Sequence, residues 1–397
     1  MTPDTPPSAL FLSPEAPYPL EGGGALRSAS LLHYLGRRYR VDAILFREYG
    51  AKDPAAAMPG GLVDRALVLD LPCHSRRPLA RLARTASRLA RGVPPLPDRF
   101  SGFESQIRGF LSDRRYEVAV IEHFWCANYY DQVSPNSRHA VLDMHNIESV
   151  LMARRAQAAG FPASAVFRRF ERASAALERR WLPRFSSILA ASERDAELIR
   201  ASNGVGRVLV YPNALPHIPA PGNAPGHAIA FSGNLEYDPN RDAVLHFHRR
   251  IWPALKERWP GLVWRLIGKN PAAVSHLVKS DPRIEVTGPP ADPVKALASA
   301  QAVIAPLRIG SGTRVKILEA WAAARPIVST SVGAEGLPAR DGVNILLADQ
   351  PAAFAQAVSG LLESEELRLR IGRAGRESYE REFTWESAWA RLDVTGF

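Results

Sequence analysis

Residues 305–330, APLRIGSGTRVKILEAWAAARPIVST, gather the groups that an anion would need. A strand ends at Pro306, a glycine-bearing loop runs from Arg308 to Gly312, and the pattern predicts a helix opening near Thr313 and ending near Ala324. Arg314 and Lys316 fall in its first turn, where the backbone dipole is already positive, and each costs about 0.3–1 kcal/mol there unless an anion is present. The residue three after Thr313 is Lys316 rather than the acid that would close a capping box. A bound phosphate resolves the conflict, because loop amides including those near Ser311 and Gly312, the helix N-terminus and two or three cations converge on it. Glu319, three residues beyond Lys316, shares its helix face, while Val315, Leu318 and Ala322 take the core face. A carboxylate so placed accepts two hydrogen bonds from a vicinal diol or simply pairs with Lys316; residue types alone leave both open.

The amino-terminal half carries a similar device. LFLSPEAPYPLEGGGALRSASLLHYL, residues 10–35, reads strand, loop, three glycines (Gly22, Gly23, Gly24) and helix. Glycines let a ligand approach the backbone, and the helix start favours an anion. The spacing is not G-x-G-x-x-G, and no acid follows the second strand at the distance a dinucleotide ribose requires. His123 sits just past the strand VAVI, a position suited to acid/base work or polar positioning; His145 and Asn146 end the next strand in LDMHN. D-x-D, P-loop, G-x-S-x-G, H-E-x-x-H and paired C-x-x-C motifs are all missing, so neither a metal nor a covalent Ser or Cys nucleophile is expected.

Loops that follow strands must position these groups. Short apolar runs predict strands at 9–12, 41–46, 66–69, 118–121, 140–142, 187–190, 208–211, 229–232, 263–267, 284–287, 302–305 and 326–330. Helical periodicity predicts helices at 25–36, 101–114, 163–181, 193–201, 241–258, 293–300, 313–323 and 351–362. Near-continuous apolar strands alternating with helices imply an α/β chain with parallel sheets covered on both faces, whose ligands lie beyond the carboxyl ends of the strands. The 397 residues suggest more than one domain, and 211–227, dense in Pro, Gly and Asn, reads as a linker. The expected division is 1–210, that linker, and 228–377, followed by a largely helical 378–397.

Composition is that of a globular protein, 46% hydrophobic and 23% charged, with no apolar run approaching a membrane span and no basic-then-apolar leader. Two cysteines fit a reducing cytosol. The net charge of +10 suits polyanions, membrane surfaces or phosphorylated substrates. Residues 76–91 hold six Arg and no acid, with Leu79, Leu82 and Leu89 at helical spacing. Such a helix can lie on an anionic membrane or stand solvated; nucleic acid is disfavoured because no aromatics interleave for base stacking.

The block GSGTRVKILEAWAAARPIVSTSVGAEGL (310–337) resembles the donor-binding signature of glycosyltransferase family 4, with its G-T-R-x-K-x-L-E-A core. SGNLEYDPNRDAVLHF (232–247), RLIGKNP (265–271), VTGPPADP (286–293), the triple glycine, EHFW, LDMHNIE and ASERD are similar to other segments of that family, in order. The resemblance implies a GT-B fold: two Rossmann-like doubly wound parallel-sheet domains facing a central cleft, with the last helix crossing back. It implies a retaining glycosyltransferase that moves a sugar from a nucleotide diphosphate sugar to a glycan, lipid-linked or other hydroxyl acceptor, with no metal and no cofactor beyond that co-substrate. Glu319 matches the second Glu of the family's E-x7-E element, expected at the ribose, and the first falls at Ser311. Gly233 and Asn234 open the donor domain, where Asn234 and Asn240 stand near the family's usual Arg and Lys. The diphosphate cations are then expected to be Lys316 with Arg308 or Arg314, aided by Gly312 and Thr313. His123 matches the cleft His beside the sugar, and Gly23 and Gly24 the glycine loop. Cytoplasmic location with peripheral contact at an anionic membrane is expected. A nucleotide-sugar epimerase of similar fold, or a basic polyanion-binding protein, are the rival readings.

Overall fold

A computed structural model of the chain describes residues 6–75, 77–202, 204–222, 226–309 and 315–395. They divide into two compact units, Met1–Pro212 with Arg391–Phe397, and Asn213–Ala390.

The first unit is built on strands β1 Ser8–Ser13, β2 Arg40–Arg47, β3 Arg65–Asp70, β4 Tyr116–Glu122, β5 Ser137–Met144, β6 Ser187–Ala190 and β7 Arg207–Val210. Their order is β3-β2-β1-β4-β5-β6-β7, and every pair is parallel. Parallel strands joined by crossover helices are covered on both faces, so β1 and β4 are buried almost end to end. Leu10, Leu12, Ile44, Ile121, Leu142 and Trp181 belong to one core. Strand order reverses between β1 and β4. Their register sets Leu12 beside Ile121, which carries Ser13 to the neighbourhood of Glu122. The β4–β5 register pairs Glu122 directly with Asp143.

The second unit repeats the plan with β8 Gly226–Ser232, β9 Val263–Ile267, β10 Ile284–Thr287, β11 Ala300–Ala305, β12 Ile327–Ser329 and β13 Leu346–Leu347, ordered β10-β9-β8-β11-β12-β13 and again parallel. Its core is aromatic: Trp264 packs 4.6 Å from Phe247 and 5.7 Å from Trp252, centroid to centroid. The reversal of order lies between β8 and β11.

Expected elements and structure differ where a local signal overrode periodicity. The helix expected at 241–258 is two helices, Asp238–Arg250 and Trp252–Arg258, because Pro253 lacks the N–H that a continuous helix needs. The one expected at 101–114 is only Glu104–Leu111, preceded by Gly102 at φ +96°. The one expected at 293–300 stops at Ala298, since Ala300 already pairs in β11. β13 and the helix Glu148–Ala158 were not expected. Within 211–227, Tyr211, Ala214 and Leu215 are buried, and Leu215 bridges Thr384. No helix among the described residues is long and apolar enough to cross a membrane, and both cysteines are free.

Candidate functional site

In the second unit the site grows from the end of β8. Ser232, its last residue, donates its hydroxyl to Glu319 Oε2 at 2.9 Å. Glu319 lies on the helix Val315–Ala322, which buries Ile317, Leu318, Ala320, Trp321 and Ala322 and leaves Lys316 and Glu319 half-buried. The anchor of that helix is thus Trp321, whose indole N–H donates to the Asn344 carbonyl at 2.8 Å; Val315, expected in the core, is only half-buried. Burial pushes the Glu319 carboxyl up, against the Ser232 hydrogen bond and the Lys316 charge, which pull it down. Lys316 Nζ donates to Asn240 Oδ1 at 2.8 Å and lies 5.0 Å from the centre of the Phe231 ring. Asn240 in turn donates to the Asn234 carbonyl at 2.9 Å, and the exposed Asn234 side chain accepts from Glu236 N and Asn270 Nδ2.

Gly233 and Gly268 hold the two loops together. Gly268 sits at φ +148°, and a Cβ on it would lie 1.9 Å from the Gly233 carbonyl oxygen. A Cβ on Gly233, itself at φ +142°, would meet Asn240 Nδ2 at 2.8 Å and Lys316 Nζ at 3.4 Å. Absence of a side chain at Gly233 is what brings the Lys316 ammonium against the backbone after β8.

Of the expected phosphate ligands, Ser311, Gly312, Thr313 and Arg314 lie outside the described residues. Arg308 forks onto Asp242 with contacts of 2.5 and 3.1 Å and is half exposed. Asn240 and Asp242 are two apart on one helix, so Lys316 and Arg308 are held on different faces of it.

The first unit shows a denser arrangement at the matching place. Ser13, the last residue of β1, donates to Glu122 Oε2 at 2.9 Å, and Ser28 donates to the same oxygen. Arg27 forks onto Asp143, with Nε 2.8 Å from Oδ2, and its guanidinium reaches the Tyr211 carbonyl and ring. Tyr211 donates to Ser30 Oγ at 2.7 Å. Arg27, Glu122 and Asp143 are essentially inaccessible. Burial, with the Asp143 charge beside it, pushes Glu122 well up; burial alone would raise Asp143 too, but Arg27 and His145 hold it far below the usual carboxylate range. Burial and His123 lower His145 to about 4. Glu122, Asp143 and His145 offer ligand atoms all within 4.8 Å of one another, and the Arg27 guanidinium already supplies that cluster with a positive charge.

His123 stands at the rim of this cluster. Its ring stacks between His145, 3.5 Å away, and Trp125, 4.1 Å away, and Trp125 is fixed by donating to Glu148 Oε1 at 2.8 Å. Its backbone sits at φ +59°, unusual for a residue with a side chain, while its N–H donates to the Asp143 carbonyl at 2.9 Å. Gly23 and Gly24 open the helix Gly23–Gly36. Sequence reasoning missed Arg27, Glu122, Asp143, Ser232 and Gly268. A signal existed for two of them: Glu122 and Asp143 are acids at the ends of otherwise apolar strands.

With this geometry in view, residues 226–364 match the family model of the glycosyl transferases group 1. That stretch is similar to the group 1 glycosyl transferases. Ser232, Asn240, Lys316 and Glu319 all fall inside the matched stretch. An uncharacterized glycosyltransferase of Methanocaldococcus jannaschii is 35% identical over 71 residues, which cover 17% of this chain and 20% of the relative. The chain therefore matches about a fifth of that relative's length. Among solved structures, Anabaena HepE in complex with UDP and glucose aligns at a TM-score of 0.66 with 15% identity, over 98% of this chain and 99% of HepE. The sucrose-phosphate synthase of Thermosynechococcus elongatus aligns at 0.73, also 15% identical, over 98% of each chain. These alignments show the fold, which is GT-B.

Proposed function

We propose that the chain is a retaining glycosyltransferase that moves a sugar from a nucleotide diphosphate sugar to a hydroxyl acceptor without a metal. The observation that carries the reading is the Ser232–Glu319 hydrogen bond beside the Lys316–Asn240 pair, at the strand-order reversal of the matched stretch. HepE, solved with UDP and glucose, lends the donor class.

On this reading Glu319 binds the ribose diol, and Lys316 with Arg308 or Arg314 and the amides near Ser311, Gly312 and Thr313 faces the diphosphate. The bond from the anomeric carbon to the phosphate oxygen breaks, and Lys316 and the loop stabilise the growing charge on the leaving group. The acceptor oxygen attacks the anomeric carbon from the face the phosphate leaves, and its proton passes to the departing phosphate oxygen. His123 positions the sugar, and Gly23 and Gly24 approach the donor phosphates. A glycan or lipid-linked acceptor is proposed, and the helix Pro78–Arg91 supports contact with an anionic membrane: it buries none of its residues, and Leu79 and Leu82 are 82% and 68% exposed beside its arginines.

The deciding experiment is a hydrolysis screen across nucleotide sugars in the presence of a chelator. Slow release of one nucleotide diphosphate is expected; no release from any donor, with or without metal, would sink the transferase reading.

A further inference from the structure

Asn240 stands in the first turn of the helix Asp238–Arg250, and its side chain is buried. Both ends of its amide are used. Nδ2 donates to the Asn234 carbonyl at 2.9 Å, which turns Oδ1 toward Lys316 Nζ, 2.8 Å away. A carboxamide bridges a carbonyl and an ammonium because one short planar group carries a donor and an acceptor. Aspartate would present acceptors to both partners, and alanine would present nothing. The Asn234 carbonyl belongs to the loop after β8, where a Cβ on Gly233 would lie 2.8 Å from Asn240 Nδ2 and 3.4 Å from Lys316 Nζ. The amide therefore ties the Lys316 ammonium to that turn. Phe231 and the charge of Glu319 also act on the ammonium, and all of these residues belong to the second unit. Two residues further along the same helix, Asp242 shows what an acid does instead: it forks onto Arg308 and pairs with that cation's charge.

We propose that Asn240 is a positioning residue of the diphosphate site, which acts through Lys316 by fixing the ammonium at the turn after β8 before the donor arrives. Holding a long lysine stem in one place costs conformational entropy, and a hydrogen bond already made in the free protein removes that cost from binding. An amide is required rather than an acid, because an acid there would compete with the diphosphate for the ammonium and repel it. The proposal rests on Lys316 facing the donor's diphosphate. It adds a residue 76 positions away in the chain that decides how well Lys316 does so.

The test compares wild type with Asn240→Ala, Asn240→Asp, Lys316→Ala and the double variant Asn240→Ala/Lys316→Ala. Inorganic pyrophosphate is titrated by calorimetry, donor hydrolysis is followed with the nucleotide sugar found in the screen, and thermal unfolding verifies that each variant is folded. Asn240→Ala should bind pyrophosphate about two- to tenfold more weakly, the size of one side chain left to be ordered on binding. Asn240→Asp should lose roughly tenfold more at low salt, with the gap between the two variants closing as salt rises. In the Lys316→Ala background, Asn240→Ala should change affinity and kcat/KM by less than about twofold, since nothing is left to position. Should Asn240→Ala not fold, the near-isosteric Asn240→Asp carries the test through its salt dependence. Wild-type-like pyrophosphate affinity in either single variant at Asn240, or an equal loss with and without Lys316, overturns the positioning role and leaves the donor reading standing. Equal affinities of Asn240→Ala and Asn240→Asp at every salt concentration overturn the requirement for an amide. The expected pattern with pyrophosphate, but no nucleotide sugar hydrolysed by any of the proteins, upholds the positioning role and overturns the donor reading. Pyrophosphate left unbound by wild type overturns the proposal outright.

Discussion

Each unit reverses its strand order beside a strand that ends in serine, Ser13 in one and Ser232 in the other, and each serine donates to a glutamate at 2.9 Å. What surrounds the two glutamates differs. Around Glu122 the protein has closed the electrostatics within itself: Asp143, Arg27, Ser28, Tyr211 and His145 are packed with almost no exposure. Around Glu319 the packing is more open: Glu319 and Lys316 are only half-buried, and the Lys316 ammonium contacts Asn240 and the Phe231 ring. An ion pair completed and buried internally rigidifies a fold, whereas a half-buried cation stays within reach of an incoming anion. On the proposed reading, the same topological position serves architecture in one unit and donor binding in the other.

The largest expected effect tests the architectural half. Asp143→Asn leaves the Arg27 charge buried and unpaired, and should cost about 3–5 kcal/mol in chemical denaturation. A loss under about 1 kcal/mol would show that the cluster is not what holds the β1–β4–β5 strand ends together. Next comes the ligand half. Lys316→Ala should lower kcat/KM by roughly 10²–10³-fold with an unfolding midpoint close to wild type, while Arg308→Ala, at a half-exposed guanidinium already paired with Asp242, should cost far less if Arg314 rather than Arg308 is the second phosphate cation. Equal losses from both would erase the distinction drawn between those cations.

Two glycines sharpen the contrast further. A Cβ would lie 1.9 Å from its neighbour at both Gly268 and Gly24. At Gly268 the neighbour is backbone and φ is positive, so Gly268→Ala should destabilise by roughly 3 kcal/mol. At Gly24 it is the tip of the half-exposed Glu15, which can turn away, so Gly24→Ala should cost under about 1 kcal/mol. Thermal unfolding of both variants checks the pair.

The smallest effect concerns pH. Glu122 is raised above its ordinary 4.5, so above that pH the folded chain keeps a proton the unfolded chain has lost, and stability falls as pH rises. His145 is lowered from 6.5 to about 4, so between those values the unfolded chain binds a proton the folded one refuses, and stability rises with pH. The two slopes oppose one another just above pH 4.5, where the windows overlap. Glu122→Gln removes the first and should expose a loss approaching about 1.4 kcal/mol per pH unit on acidification. An unchanged profile would disprove the opposition.

Much of this was legible in the sequence. Each of the strands expected from short apolar runs appears within a few residues of its place, because strands buried on both faces leave an uninterrupted apolar trace. The Lys316–Glu319 face was legible because it is local, three residues along one helix. Its partners Ser232 and Asn240 lie 87 and 76 residues away and needed the fold. Arg308 looked equivalent to Lys316 in the sequence, and only the placement of Asp242 separates them.

The order of apolar runs, glycines and cations therefore fixed the alternation of strands and helices and the cationic start of one helix, since those follow from spacing within a few residues. Tertiary structure alone decided which charges neutralise one another. Glu122 meets Asp143 only through the parallel register of β4 and β5, and Glu15 meets Gly24 and His123 only through the loop that follows β1. Coulomb and hydrogen-bond energies depend on separations of a few ångströms, and such distances between residues far apart in the chain exist only after the strands have paired.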